Sequence, residues 1–324
     1  MLFDRLSSLI LVFAVFLACC GSSPLRADDE KQAQEKAATD TKESAKDQAE
    51  VKEDKAQEGA EPEKSEQEAP APLFPDKALE TAVRAVVFDK RFNQEPLTKD
   101  DVAKIPHVIG RGKGIKSLEG LQHCVSLMKI DLEDNKIVDL KPITGLTKLI
   151  SLSVAGNQVG DITPLKPLKK LQLLDLSRNK VKKLDAISEM DNLRDLWVAE
   201  NLISDLKPIA KLPKIWYLDI AKNQVSDLTV VANLKWLTTL DISHNQVSNL
   251  SPLTNLQDLD LLLFSENQIT DLSPLVSMCV SDAQGERRFA PYLEIYLGEN
   301  PLEDAKKAEW IEQLKGAGVD VFDD

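Results

Sequence analysis

The stretch Leu171-Gln-Leu-Leu-Asp-Leu-Ser-Arg-Asn179 decides the fold of this chain. Its apolar residues stand eight, five and three places before the asparagine, and neighbouring stretches repeat this spacing. The asparagine recurs every 22 residues, and a last time after 33, at Asn135, Asn157, Asn179, Asn201, Asn223, Asn245, Asn267 and Asn300. A fixed period of this size is the sequence signature of stacked repeats. The chain is therefore predicted to form a solenoid.

The repeat predicts one short strand per unit. Its apolar residues five and three places before the asparagine alternate with polar ones, which is typical of a strand with one buried face. Stacking places these strands in a parallel sheet whose concave face stays open. We expect the asparagine side chain to point inward and to pair loop backbone groups, each of which would cost about 1–3 kcal/mol if left unpaired. The eight recurring asparagines, which we call the asparagine ladder, are thus predicted to have a structural role.

The residues after each asparagine identify the repeat class. In Asn201-Leu-Ile-Ser-Asp-Leu-Lys-Pro208, an Ile, an Asp-Leu pair and a Pro follow at fixed places, and most units repeat this order. The pattern resembles the bacterial internalin-type leucine-rich repeat over residues 73 to 324. The resemblance implies an α/β solenoid with a concave parallel β-sheet, a helical N-terminal cap and a C-terminal helical cap.

The cap boundaries follow from where the repeat pattern weakens. Residues 73–126 are predicted to be an N-terminal cap with a degenerate first repeat, because Leu79, Val83 and Val87 have helical spacing and a second helix begins after Thr98. Residues 127–300 hold the leucine-rich repeats, and residues 301–324 form the C-terminal cap. The long last interval predicts that Met278–Pro291 forms an excursion on the convex side.

The first 27 residues are predicted to be an export signal. Their apolar run, Leu9 to Ala18, is too short to span a bilayer and matches a signal-peptide core. Cys19 or Cys20 stands where a bacterial lipobox would place a lipidated cysteine, whereas cleavage after Ala27 is the alternative. Either alternative puts the mature protein outside the cytoplasm, in the cell envelope by a lipid anchor or secreted or periplasmic without one.

An acidic low-complexity linker is predicted over residues 28–72. Between residues 28 and 70, 15 acids stand against 7 lysines, a net charge of −8 out of −13 for the whole chain. With few apolar residues beyond alanine, this segment cannot offset the entropy of ordering, so it is predicted to be disordered. It would then hold the folded part away from an anchoring surface.

Charge and cysteine usage in the remaining chain exclude several functions. From residue 73 onward, 31 basic residues face 37 acidic ones without a clustered basic face, which argues against nucleic-acid binding. Cys124 and Cys279 lie far apart in the repeat register, so no disulfide between them is expected. No Cys/His cluster has metal-ligand spacing, and we expect no metal and no cofactor.

Function is expected on the open face of the sheet, which the residues six, four and two places before each asparagine line. Leu173, Trp197 and Tyr217 fall on neighbouring strands, and clustered exposed aromatic residues are typical of binding hot spots. The candidate ligand-binding residues are Leu173, Asp175, Asp195, Trp197, Tyr217, Asp219, Asp241, Leu261, Leu263 and Tyr296. Because no pocket is expected to close over these acids, they are predicted to stay solvated with ordinary pKa values.

The sequence thus favours an exported, monomeric, non-enzymatic protein that binds a protein, peptide or polysaccharide through its concave face. A structural envelope spacer without a specific ligand is the alternative. A third hypothesis, a hydrolase that uses Asp219 and Asp241, is weaker because nothing orients or encloses the two carboxylates.

Overall fold

The structure, a computed structural model, describes residues 72–323. The predicted export signal with Cys19 and Cys20, the predicted linker up to residue 71, and Asp324 lie outside the described residues.

Ten strands of three residues each form one sheet, and they follow each other in chain order. All nine pairings are parallel, with each strand in register with the strand one unit earlier. This confirms the predicted leucine-rich-repeat solenoid. The strands are β1 (His107–Ile109), β2 (Lys129–Asp131), β3 (Ser151–Ser153), β4 (Leu173–Asp175), β5 (Asp195–Trp197), β6 (Tyr217–Asp219), β7 (Thr239–Asp241), β8 (Leu261–Leu263), β9 (Glu294–Tyr296) and β10 (Asp320–Phe322).

One continuous core runs through the stacked units. The central residue of each repeat strand, such as Leu174, Leu196 and Leu218, is fully buried, and so are the apolar residues that precede and follow the strand. Each unit buries its apolar face only against its neighbours, which is why a repeat of this kind needs the stack to be stable.

The asparagine side chains tie successive units together. The Asn201 amide donates to the carbonyl oxygens of Leu176, Val198 and Ala199 at 2.9–3.0 Å, while its oxygen accepts from the Val181 N–H at 2.9 Å. The asparagines of the other 22-residue units make the same set of bonds, as at Asn157. Backbone groups that turn away from the strand are thereby paired inside the core.

The convex side is built from short 3-10 turns. In several units a proline stands at the first or second position of the turn. The Asp before it accepts a hydrogen bond from the turn backbone, as Asp205 does from the Lys207 N–H at 2.9 Å. The turns are Leu121–His123, Lys141–Ile143, Thr163–Leu165, Asp185–Ile187, Lys207–Ile209, Thr229–Asn233, Ser251–Asn255 and Ala290–Tyr292.

Helix α1 (Lys77–Arg84) closes the N-terminal end of the core with Leu79 and Val83. Its N-cap, Asp76, accepts hydrogen bonds from the first turn of the helix with one oxygen and from the N–H groups of Lys116 and Ser117 with the other. One carboxylate therefore fixes the cap to the first repeat. Helix α2 (Lys99–Val102) is a single turn, shorter than predicted, and begins with a capping box between Thr98 and Asp101.

The long last interval forms helix α3 (Ser273–Gln284), which replaces the 3-10 turn of its unit. It packs against the preceding convex turn and against helix α4 (Asp304–Gly316), so it lies on the convex side and leaves the concave face uncovered. Cys124 and Cys279 are both buried and unpaired.

The ladder predicts a large stability loss at one buried asparagine. Asn201→Ala leaves the Val181 N–H and three carbonyls without their partner, and each orphaned buried group costs about 1–3 kcal/mol. We expect urea denaturation to show a loss of about 3 kcal/mol or more. Asn249→Ala is the matched control, because the exposed Asn249 accepts one turn hydrogen bond and should cost under about 1 kcal/mol. Equal losses in the two variants would contradict this role of the ladder.

Candidate functional site on the concave face

The strand register arranges the concave side chains in two rows. In the first row, Leu173, Asp195, Tyr217 and Thr239 are paired in succession across β4 to β7. In the second row, the paired residues across the same strands are Asp175, Trp197, Asp219 and Asp241. In a third row, the residue two places before the asparagine is small in every unit from Asn157 onward, whereas Glu133 stands there before Asn135. The small residues are Ala155, Ser177, Ala199, Ala221, Ser243, Ser265 and Gly298.

Trp197 and Tyr217 form an aromatic pair at the centre of these rows. Their ring centroids are 4.9 Å apart and the ring planes are tilted by 40°. Both side chains are partly buried, so the pair is held by its neighbours while one side remains open. Leu173 lies in the same row as Tyr217 but two strands away, with Asp195 between them. Of the predicted patch of Leu173, Trp197 and Tyr217, only the two aromatic rings therefore pack directly on each other, and Leu173 lies two strands from Tyr217.

Trp216 extends this area at the edge of the sheet, which the sequence analysis missed. Its indole nitrogen donates to the Asp195 carboxylate on the neighbouring strand. The residue stands seven places before its asparagine, one place outside the counted columns. The sequence does mark this residue, because the neighbouring units carry the polar residues Gln172, Arg194, Thr238 and Asp260 at the same place.

The acids of the second row differ in their partners. Asp131 is buried and accepts two hydrogen bonds from the Arg111 guanidinium at 2.8 and 2.7 Å. Asp175, Asp219 and Asp241 instead accept from the backbone N–H two places onward, at 2.9–3.0 Å. Within residues 72–323, no Lys or Arg side chain forms an ion pair with these three.

The pKa values of these acids show that they are not ordinary solvated carboxyls. Burial, together with the negative charge of Asp241, raises the pKa of Asp219 to about 7. Burial also raises the pKa values of Asp175, Asp195 and Asp241, and that of Tyr217 to about 12. The expectation that an open face keeps these acids solvated was wrong, because large side chains in register shield them from the side.

The other candidate residues lie toward the C-terminal end of the sheet. Leu261 and Leu263 are on β8, and Tyr296 on β9 pairs with Leu263 in the second row. Tyr296 stacks on Phe322 of β10, with ring centroids 4.6 Å apart and planes 14° apart. The sequence did not indicate Phe322, because no asparagine follows it from which its position in the repeat could be counted.

Asp219 and Asp241 lie apart from the cavity near the convex turn Thr163–Leu165. This cavity of about 390 Å³ lies among the loops between Gly160 and Ala186, and none of the concave acids line it. Within residues 72–323, no group of three or more His, Cys, Asp or Glu side chains is arranged to hold a metal ion. Across the same range, no helix is long and apolar enough to cross a membrane.

Comparison with known proteins agrees with this architecture. A family model for leucine-rich repeats in two copies matches residues 147–189, 169–211 and 235–277. The structure of internalin C2 from Listeria monocytogenes is 34% identical, with 64% of this chain and 91% of that chain covered and a TM-score of 0.61. Internalin F from the same species is 26% identical, with 79% and 74% covered and a TM-score of 0.67.

A leucine-rich-repeat protein from Leptospira interrogans shares the fold, at 22% identity and a TM-score of 0.55, with 64% of this chain and 57% of that chain covered. No curated protein matches the sequence significantly. The open sheet and these relatives define a non-enzymatic, protein-binding leucine-rich-repeat module. More particularly, the chain belongs to the internalin-type leucine-rich-repeat proteins.

The raised pKa of Asp219 predicts a pH-dependent stability difference. The pKa of this carboxyl is near its ordinary value of 3.8 in the unfolded chain and about 7 in the folded protein, because burial and the charges of Asp241, Asp175 and Glu200 disfavour its ionised form. The folded state therefore binds more protons, and folding stability falls as pH rises between these values. Asp219→Asn should therefore be more stable than the wild type at pH 8 by about 1–3 kcal/mol, and nearly equal at pH 4.

Urea denaturation at both pH values measures this difference. Asp205→Asn is the control, because Asp205 is exposed and Asn249 makes the same turn hydrogen bond in another unit. We expect it to change stability little at either pH. A wild-type advantage over Asp219→Asn at pH 8 would contradict the electrostatic assignment.

Proposed function

We propose that this protein is exported and recognises a partner protein or peptide through the aromatic pair on its concave face. The observation that carries the proposal is the tilted packing of Trp197 against Tyr217 on the concave side of the sheet, with both side chains only partly buried. Aromatic side chains on a preorganised surface supply much contact area at little entropic cost, and they dominate measured binding energies. The small side chains of the third row leave room for a partner backbone beside the pair.

The proposed organisation of the chain adds an anchor to this site. Residues 1–27 would direct export, Cys19 or Cys20 would carry a lipid, and residues 28–72 would form the tether. The cap (73–126), the repeats (127–300) and the C-terminal cap (301–324) would then be held away from the membrane. A polysaccharide ligand and a spacer without a ligand are the competing hypotheses, and the experiments below distinguish them.

The combined substitution of Trp197→Ala and Tyr217→Ala tests the site. Photo-crosslinked capture from the envelope fraction of the source cells would identify the partner, and its affinity for wild type and variant would then be measured. We expect a loss of about 2 kcal/mol or more, since truncation of a central aromatic residue commonly costs that much.

Trp236→Ala is the matched control for this variant. Trp236 is 62% exposed but lies in the loop before β7, outside the concave rows, so its loss should leave binding within about twofold. An unchanged affinity in the double variant would remove the proposed site, and the lack of any saturable partner would favour the spacer. Capture of glycan alone would favour the polysaccharide.

The proposed anchor is tested at the mature N-terminus. Mass spectrometry of the protein from its source cells should show a diacyl or triacyl modification on Cys19 or Cys20, which the Ser variant of that cysteine abolishes. An unmodified N-terminus at Asp28 would instead establish cleavage after Ala27 and free export.

A further inference from the structure

We propose that the aromatic pair and the carboxylates around it receive an arginine or lysine side chain from an extended basic segment of the partner protein. This inference rests on the proposed function, since it specifies the chemistry of the partner at the same site. It concerns the surface formed by Asp175, Trp197, Tyr217, Asp219 and Asp241, which we call the acid–aromatic surface.

The register surrounds the aromatic pair with acids. Trp197 is paired with Asp175 on one side and with Asp219 on the other, and Tyr217 is paired with Asp195. Neighbouring strands lie about 4.8 Å apart. A cation placed over the indole face would therefore be close to carboxylates on both sides, and it would gain attraction from the ring and from the acids together.

Within residues 72–323, no Lys, Arg or His side chain forms an ion pair with the acids of this surface. Asp131, two to five strands away in the same row, has its own cation in Arg111. The cations that line the sheet rim are engaged with rim acids: Arg178 with Glu133 and Asp134 at 3.0 and 2.8 Å, and Lys222 with Glu200 at 3.3 Å.

His244, the remaining basic residue of this rim, lies 2.8 Å from Glu266. Arg178, Lys222 and His244 thus act on Asp175 and Asp241 only from a distance, and within the described range the acid–aromatic surface carries acids without an ion-pair partner beside an apolar face. A partner segment that brings a cation with an apolar stem is its electrostatic and steric complement.

The poor solvation of Asp219 strengthens the attraction between this surface and a cationic side chain. Burial and mutual repulsion hold the pKa of Asp219 near 7, which means that its charge is poorly solvated in the free protein. Arginine suits the site well, because its planar guanidinium can stack on an indole while it donates two hydrogen bonds to a carboxylate. The small side chains of Ala199 and Ala221 beside the pair let the backbone of an extended segment approach.

The test uses the full chain at pH 8 and two synthetic Gly/Ser peptides. One peptide carries arginines at alternate positions, and the other carries uncharged citrullines in their place. We expect calorimetry or tryptophan fluorescence to show that the arginine peptide binds at least about tenfold more tightly. Asp219→Asn combined with Asp241→Asn should weaken its binding by about tenfold or more.

Asp205→Asn combined with Asp227→Asn is the matched control. It removes the same number of charges from exposed convex turns, so it separates local contact from the general field of an acidic protein. We expect less than a twofold change. The acidic linker is present in every variant, so its own attraction for the peptide cancels in the comparison.

Thr239→Lys is a second variant that removes no hydrogen bond of the acids. Thr239 pairs with Tyr217 and lies on the same strand and face as Asp241, and Lys129 already occupies the equivalent place on β2. A lysine there would compete for the acid–aromatic surface and should abolish preferential binding of the arginine peptide.

Equal binding of the arginine and citrulline peptides, or equal weakening in the two double-Asn variants, would overturn the inference and favour an uncharged occupant. If partner capture still depended on Trp197 and Tyr217 in that case, the proposed function would stand without the basic segment. If capture were also insensitive to the aromatic pair, both proposals would fall.

Discussion

The hydrogen bonds of the asparagine ladder are the constraint on which the rest of the structure depends. Each repeat leaves its strand after three residues, and the backbone must turn inside a dry core. One amide side chain pairs three carbonyls and one N–H there, as Asn201 shows. Without it the turn would bury unpaired backbone groups, whose cost rivals the whole stability of a domain when summed over the stack.

Because the asparagines of the ladder are spaced regularly, they also determine how side chains are arranged on the concave surface. Every strand is held in register with its neighbour, so residues one period apart face the same way in straight rows. The fold needs only the inward residues of each strand. The outward residues do not pack in the core and can therefore vary. At these positions the chain has the aromatic pair and partly buried acids, whose ionised forms are poorly solvated. The acids also pair backbone N–H groups two places onward, but their poor solvation is a local cost of the kind found at surfaces that serve recognition.

Much of the fold could be predicted from the sequence, and less of the site. The strand positions, the convex turns and the membership of Leu173, Trp197 and Tyr217 in the concave rows all follow from counting. The contacts of Trp216 and Phe322 do not, because one stands outside the counted columns and the other lies beyond the last asparagine. The raised pKa values were mispredicted, since shielding by neighbouring strands depends on side-chain packing rather than on the presence of a pocket.

The sequence alone determined the period, the inward and outward faces and the repeat class, because backbone satisfaction demands the same residue types at the same places in every unit. Only the tertiary structure decided which outward side chains meet. Trp197 packs on Tyr217 with tilted rings, Arg111 neutralises Asp131, and within residues 72–323 Asp219 has no ion-pair partner, although all of them lie on one face. These differences arise from side-chain reach across strands, which repeat spacing does not encode.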